Sequence, residues 1–403
     1  MNFKAKHFLK KSSVLSYMGY KYREFKTHFQ MKKYSSRPIQ KNKILLASGR
    51  YGDSLSRISE YLYEAYPAVE IVWAYRNEDL KHLAEYPKYI KTVLFESKEY
   101  YKELSTSAVW VFNVLVPQGV IKRKEQLYIQ VWHGDKPFKR IGNDAASKSN
   151  YKKKSAGRRF SEQELCDYFV TGSILFIDIW KRSMGYSGLT IKTGLPRNDD
   201  FFNSDINLST IRQEIGVPDD KKLLIYAPTF RDHISDNGVI GTDINICRIL
   251  DALERKYQCD WLCLKRSHGG THLELDKTKD DKRIIDVSQY RDMTNLMLIS
   301  DLLITDYSSC AGDFAYSGRP VLLYQDDYDI YTSKDRSLIF DMEKTPFYVA
   351  KNMKEMEQII GNLDAEASKQ NDLEILKLYQ SSQTSHSTVD VCEVIIAHMK
   401  QEK

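Results

Sequence analysis

Long apolar runs are missing from this 403-residue chain. The longest, Ala108 to Val116, covers nine residues and is interrupted by Asn113, whereas a membrane-spanning helix needs about 20. No transmembrane segment is expected, and the N-terminal stretch lacks the apolar core of a signal peptide. Cysteine is scarce: six residues scattered from Cys166 to Cys392, a usage that fits a reducing compartment and excludes a disulfide framework. Cys259 and Cys263 form the only close pair. With no second pair and no His at ligand spacing, they are expected to be buried apolar thiols and not zinc ligands. No Walker loop, HExxH, GxSxG or Cys-x-x-Cys motif occurs, and there is no internal repeat or low-complexity tract. Neither a metal site nor a cofactor is implied.

What is present is ordinary globular composition, 42% hydrophobic and 28% charged, which excludes wholesale disorder. The length favours two domains. Charge is uneven. Residues 1–43 hold twelve Lys/Arg against one acid, Glu24, so this arm carries +11 and the rest of the chain, at +6 overall, carries −5. Phe8, Leu15, Met18, Tyr22, Phe25 and Phe29 recur there at helical spacing. A basic helix with one aromatic face suits an anionic bilayer surface. The same composition fits nucleic acid or a solvated tail.

Beyond the arm, short apolar runs alternate with longer amphipathic ones. Strands are expected near Ile44–Ala47, Glu70–Trp73, Thr92–Phe95, Val109–Val114, Tyr128–Val131 and Tyr168–Val170. Further strands are expected near Leu223–Ala227, Trp261–Leu264, Ile284–Val287, Leu302–Thr305 and Val321–Tyr324. Asp53 or Ser54 should cap the helix after the first strand. This alternation is βαβ architecture with parallel sheets. The junction near Asn198–Asp220 divides the chain into residues 44–200 and 201–403, two α/β halves, with terminal helices in the second.

Ligands of such folds sit beyond the C-terminal strand ends, where several loops concentrate polar chemistry. The loop from Gln130 to Gly142 carries His133 beside Gly134, followed by Lys136, Lys139 and Arg140. An imidazole of near-neutral pKa beside cations that attract phosphate is what a general base for phosphoryl transfer requires, and glycine permits close approach of a substrate. The loop Thr193–Asp199 is either a plain connector or brings Arg197 and Asn198 to an interdomain cleft. After Tyr226, Thr229 and Arg231 offer a hydroxyl and a guanidinium to an anion, or else pack the loop and pair with an acid. Asp306-Tyr307-Ser308-Ser309 ends a buried strand, with Asp313 and Arg319 following. Ser308 and Ser309 there could seat a phosphate at a helix N-terminus while capping that helix. Lys265-Arg266-Ser267-His268 ends another strand; His268 is a second catalytic candidate that could contact a diphosphate or protonate a leaving group, and His272 competes for that role. Asp326-Asp327-x-Asp329 resembles an acidic metal cluster, but a solvated acidic turn is the expected reading.

Taken in this order, Trp132-His133-Gly134, Thr193-Gly194-x-Pro196-Arg197-Asn198-Asp199, Tyr226-Ala227-Pro228-Thr229-Phe230-Arg231 and Ile304-Thr305-Asp306-Tyr307-Ser308-Ser309 resemble one family. It is the CDP-glycerol glycerophosphotransferases, the polyol-phosphate polymerases and primases of teichoic acid and related capsules. The stretch from Gly52 to Trp73 is similar too. Departures occur at Asp135, where the family has Thr, at Ser267-His268-Gly269, shifted by one residue from a Lys-x-His-Pro pattern, at Cys310-Ala311-Gly312, and at Arg336-Ser337. The resemblance implies a GT-B-like fold, two Rossmann-type domains facing a central cleft. It implies peripheral attachment to the cytoplasmic membrane face, a CDP-polyol donor (glycerol before ribitol) and a lipid-linked polymer acceptor.

By the same resemblance, His133 is the base and His268, Asp306, Ser308 and Ser309 hold the donor. Gly134, Lys136, Arg197, Asn198, Thr229, Lys265 and Asp313 complete the expected substrate-binding set, with Arg231 and Arg319 added on chemistry alone. The arm, read with this function, is expected to dock on an anionic membrane. A nucleotide-sugar glycosyltransferase on the same fold is the nearest rival. A nucleic-acid-binding protein is a distant one, because it leaves the polar strand-end loops without a role.

Overall fold

The computed structural model describes residues 13–48, 50–145, 161–229, 231, 242–267 and 281–401. His268 and His272 lie outside the described residues, as does the first part of the arm.

Two parallel sheets organise the chain. The first is built from β1 (Gln40–Ala47), β2 (Glu70–Tyr75), β3 (Ile90–Leu94), β4 (Ser107–Phe112), β5 (Leu127–Gln130), β6 (Tyr168–Val170) and β7 (Leu189–Ile191), in the order β3-β2-β1-β4-β5-β6-β7. The second comprises β8 (Lys222–Tyr226), β9 (Trp261–Lys265), β10 (Ile284–Asp286), β11 (Leu302–Thr305), β12 (Val321–Tyr324) and β13 (Tyr348–Ala350), in the order β10-β9-β8-β11-β12-β13. Every pairing is parallel. Each order starts in the middle and winds outward both ways, the doubly wound topology that leaves a crevice where the direction reverses. The reversals fall between β1 and β4 and between β8 and β11. Every strand expected from the apolar runs is present. β7 and β13 are additional edge strands of three residues each, too short to stand out by pattern.

Both faces of each sheet are covered, which is why the strands read as continuous apolar runs and not as alternations. In the first sheet, Ile44, Leu46, Val109 and Val111 pack with Leu55, Ile58 and Leu62 of helix Asp53–Ala65. Leu45, Ala47, Trp110 and Phe112 face the other way, onto Tyr100, Leu104, Phe176 and Trp180. The second sheet repeats the arrangement, with Leu224, Ile304 and Leu322 against Ile249, Leu250 and Leu253. The last helix, Ser387–Lys400, which the sequence pattern groups with the second half, crosses back and buries Val391, Cys392, Ile395 and Met399 against the first sheet.

The halves are joined by more than this crossing. The loop after β5 inserts into the second half. Phe138 is fully buried in that half's core, 4.9 Å from the ring of Phe347, and Ile339 N–H donates to the Phe138 carbonyl at 2.7 Å. Ser382 and Thr384, after helix Ala365–Leu378, donate backbone N–H groups to the Gly172 and Thr193 carbonyls.

The arm is also tied to the body. Helix Ser13–Lys32 buries Thr27 and Met31, with Thr27 Oγ1 3.2 Å from the Tyr101 hydroxyl. Strand β1 begins at Gln40, and Lys43 is buried in an ion pair with Glu103 at 2.7 Å, so the end of the expected arm is part of the first half. Tyr17, Met18, Tyr22, Phe25 and Phe29 stay between 53% and 69% exposed on the helix's outer side.

Candidate active site

A cleft of about 610 Å³ runs between the two sheets. The first half lines it with Leu115, Trp132, His133, Gly134 and Lys139. The second lines it with Pro228, Thr229, Tyr307, Ser308, Ser309 and Arg336. His133, Gly134, Thr229, Ser308 and Ser309 are thus brought together from motifs spread over nearly 180 positions. A Cβ on Gly134 would lie 2.2 Å from Ser309 Oγ, and its backbone is at φ +155°. Only glycine lets the two walls approach this closely.

The His133 side chain is exposed in the open cleft, with the Trp132 ring 4.1 Å from its own. Its Nδ1 lies 3.4 Å from the Asn113 main-chain carbonyl. A carbonyl only accepts, so Nδ1 carries the proton and Nε2 is left as the acceptor. Desolvation pushes the pKa down to about 4; Arg197 and Lys139 act in the same direction, and the Asn113 carbonyl and Asp53 oppose them. The ring is neutral at pH 7 and able to take a proton.

Ser309 precedes a helix of only five residues, Cys310–Phe314, and its hydroxyl makes no capping bond; Ser308 Oγ accepts Cys310 N–H at 3.4 Å. Of the two serines expected to cap this helix, Ser308 holds its first N–H and Ser309 holds none, and so short a helix supplies little dipole. The hydroxyls themselves, facing the cleft, are what this loop offers a phosphate. The buried Thr229 Oγ1 has no hydrogen-bond partner among the described residues.

Several expected binding residues lie under the cleft and not in it. Lys136 is wholly buried, its Nζ 2.9 Å from Asp135 and 3.5 Å from Asp313. Arg197 donates to Asp53 at 2.9 Å and to Asp313 at 2.6 Å, and Asn198 Nδ2 donates to Asp313 at 3.1 Å. Burial works against the Arg197 charge, but Asp53 and Asp313 outweigh it and hold its pKa above the ordinary guanidinium range. The motif Arg197-Asn198-Asp199-Asp200 is a knot between elements. Asp199 accepts the Ser387 and Thr388 N–H groups that open the last helix, and Asp200 pairs with Arg57 at 2.6 Å. Neither the connector reading nor the cleft-lining reading describes it.

Arg231 is 3% exposed and pairs with Asp306 at 2.9 Å and Asp327 at 2.7 Å, so the packing alternative holds for it. Asp306 also accepts Thr229 N–H at 2.9 Å, which makes it the residue that sets the Thr229 loop and not a cleft surface. Asp327 is therefore partnered, where a solvated turn was expected. Lys265, the last residue of β9, pairs with Asp286, the last of β10, at 3.2 Å. Arg319 lies two residues before β12, at the end of the sheet opposite the cleft. Its guanidinium donates to the carbonyls of Met297 and Leu298 in the last turn of helix Met293–Ile299 and of Ser300 just after it, so it closes that helix and does not face the cleft. Asp53 and Asn113 were missed as site residues. Asn113 left a trace, as the one polar residue in the longest apolar run.

Two doubly wound halves facing one cleft, with a neutral imidazole on one wall and hydroxyls on the other, are the GT-B architecture. Residues 28–395 match the family described as CDP-Glycerol:Poly(glycerophosphate) glycerophosphotransferase, and the chain belongs to that family. It is 32% identical over 330 residues to the teichoic acid poly(glycerol phosphate) polymerase of Staphylococcus epidermidis, covering 77% of this chain and 44% of that one. It is 28% identical to the teichoic acid glycerol-phosphate transferase of Staphylococcus aureus, over 79% of this chain and 82% of that one. The chain spans under half the length of the polymerase relatives from S. epidermidis and Bacillus subtilis. The solved structure of the wall teichoic acid polymerase TagF superposes with a TM-score of 0.76 at 26% identity, over 96% of this chain and 98% of that one.

Proposed function

We propose that the protein transfers a polyol phosphate, glycerol phosphate before ribitol phosphate, from a CDP-activated donor to a hydroxyl of a lipid-linked teichoic acid or capsular polymer. The observation that carries this reading is His133, neutral and with Nε2 unprotonated, in the same cleft as the Ser308 and Ser309 hydroxyls. His133 Nε2 takes the proton of the acceptor hydroxyl as its oxygen attacks the donor's β-phosphorus. The bond from that phosphorus to the bridging oxygen breaks, and CMP leaves. Thr229, Ser308, Ser309 and the cations Lys139 and Arg336 lie around the transferring and leaving phosphates, where donors fixed in advance stabilise developing charge. The S. aureus relative is named a glycerol-phosphate transferase, and a Bacillus spizizenii relative a ribitol-phosphate primase.

The test is CMP release with CDP-glycerol, CDP-ribitol and UDP-sugars on a lipid-linked acceptor analogue, reading product mass. Phosphorus should be added to the acceptor with a CDP-polyol. Sugar added without phosphorus would make the protein a glycosyltransferase instead.

The exposed aromatic face of helix Ser13–Lys32 supports the second part of the reading, peripheral docking on the anionic inner face of the cell membrane. No helix among the described residues is long and apolar enough to cross a bilayer, whereas Tyr22, Phe25 and Phe29 stand outward beside Lys21, Lys26 and Lys33. Removing residues 1–43 would take away part of β1 and the buried Lys43, so the clean variant is Tyr22→Ser, Phe25→Ser and Phe29→Ser together. It should lose about tenfold or more of its binding to phosphatidylglycerol vesicles, since burying each large apolar side chain stabilises by about 1.5–3 kcal/mol. Turnover on a soluble acceptor should not change. Undiminished vesicle binding would remove the arm from the docking role.

A further inference from the structure

We propose that Asp53 is a positioning residue for His133: one carboxylate anchors both the residue that holds the imidazole and the residue that holds the histidine main chain. The proposal rests on the reading of His133 as the base. Asp53 Oδ2 accepts Asn113 Nδ2 at 3.3 Å, and the Asn113 carbonyl faces His133 Nδ1. Asp53 Oδ1 accepts Arg197 Nη1 at 2.9 Å, and Arg197 in turn donates to the His133 carbonyl at 3.3 Å. Ser48 Oγ is a second anchor for Asn113, at 3.0 Å.

The backbone agrees with this assignment. Asp53 stands at φ +62° and Trp132, directly before His133, at φ +49°. Both are left-handed conformations uncommon for non-glycine residues, and such strain gathers where a surrounding network over-determines the geometry. The expected helix cap was Asp53 or Ser54; Gly52 holds that position and Asp53 is the first helical residue. Its carboxylate does accept the adjacent Ser54 N–H, but its reach is spent on the first half's switch point at Asn113 and on Arg197, which continues to Asp313 in the second half. His133 is therefore oriented by residues from three separate segments. The charged groups facing it are Asp53, Arg197 and Lys139.

The consequence is a fixed tautomer, with Nδ1–H bonded to Asn113 and Nε2 open to the cleft. The test uses the full chain labelled with ¹⁵N in its histidines, with the His133 signal assigned by its loss in His133→Ala. Wild type at neutral pH should show the Nδ1–H tautomer. Asp53→Asn tolerates the left-handed backbone but sets an amide donor against either Asn113 or Arg197, so one link breaks. The tautomer should become mixed, and kcat for CMP release should fall by about 10–100-fold, the cost of a small misplacement of a reacting group. KM for CDP-glycerol should stay within about twofold, because the loss falls on the transition state.

Should Asp53→Asn fail to fold, Asn113→Ala removes the same side-chain link while keeping the accepting carbonyl, and the same readouts apply. An Nε2–H tautomer in wild type, or an unmoved tautomer and kcat in a folded variant, overturns the proposal. If the wild-type protein released no CMP from any CDP-polyol, the functional reading would fail, while the tautomer measurement would still judge the positioning.

Discussion

His133→Ala is expected to slow CMP release by about 10²–10⁴-fold, the usual worth of a positioned general base, in a protein that stays folded and still binds CDP-glycerol. Folding should survive because the ring borders the cleft and, among the described residues, its hydrogen bond is the 3.4 Å contact to the Asn113 carbonyl. The pH profile carries an independent signature. Activity needs the neutral imidazole and is lost as pH falls through the folded-state pKa. Desolvation lowers that value to about 4, so the acid limb of kcat/KM assigned to His133 should lie near pH 4 and not near the ordinary 6.5. The same depression makes stability depend on pH in a defined direction. Between about 6.5 and about 4 the unfolded chain binds the extra proton, so His133's contribution is present above pH 6.5 and declines as pH falls through that window. Wild-type turnover in His133→Ala would remove the residue from the reaction.

The second large effect concerns stability. Asp313 is 1% exposed and neutralises two cations at once, Arg197 and the wholly buried Lys136. Asp313→Ala would leave both beneath the cleft with one carboxylate fewer, and breaking a buried pair from one side typically costs about 3–5 kcal/mol. The midpoint of urea unfolding should fall accordingly. Asp313→Asn should be nearly as damaging, because it keeps the shape but not the charge. A loss below about 1 kcal/mol, the range of exposed ion pairs, would show that water reaches the network. The local packing is close: a Cβ on Gly312, next to Asp313, would meet Lys136 side-chain carbons at 2.5 Å, so helix and lysine already touch.

The strands and their parallel order were legible because they depend on short-range regularities. A fully covered parallel strand must be apolar on both faces, and Leu302 to Ile304 or Val109 to Val111 can be little else. The order of polar loops was legible for the same reason, since each follows its strand directly. His133, Gly134, Thr229, Ser308 and Ser309 were read as site residues and share one cleft. Lys136, Arg231, Asn198 and Asp313 were read the same way and are buried partners of one another or of neighbouring acids. Arg319, with the same chemistry as Arg197, is at the far end of its sheet.

By itself, then, the sequence determined two α/β halves, the strand ends that carry polar chemistry, the family, and the concentration of positive charge in the first 43 residues. Only the tertiary structure decided which charges meet a ligand and which meet each other. The reason is physical. A lysine or aspartate has the same formula wherever it stands, but burial removes water from it and obliges it to find an opposite charge within a few ångströms. The partners available are on segments far apart in the chain: Asp53 for Arg197, Asp313 for Lys136, Asn113 for His133. Periodicity records which way a side chain points along its own strand or helix. It holds no record of what another element brings to face it.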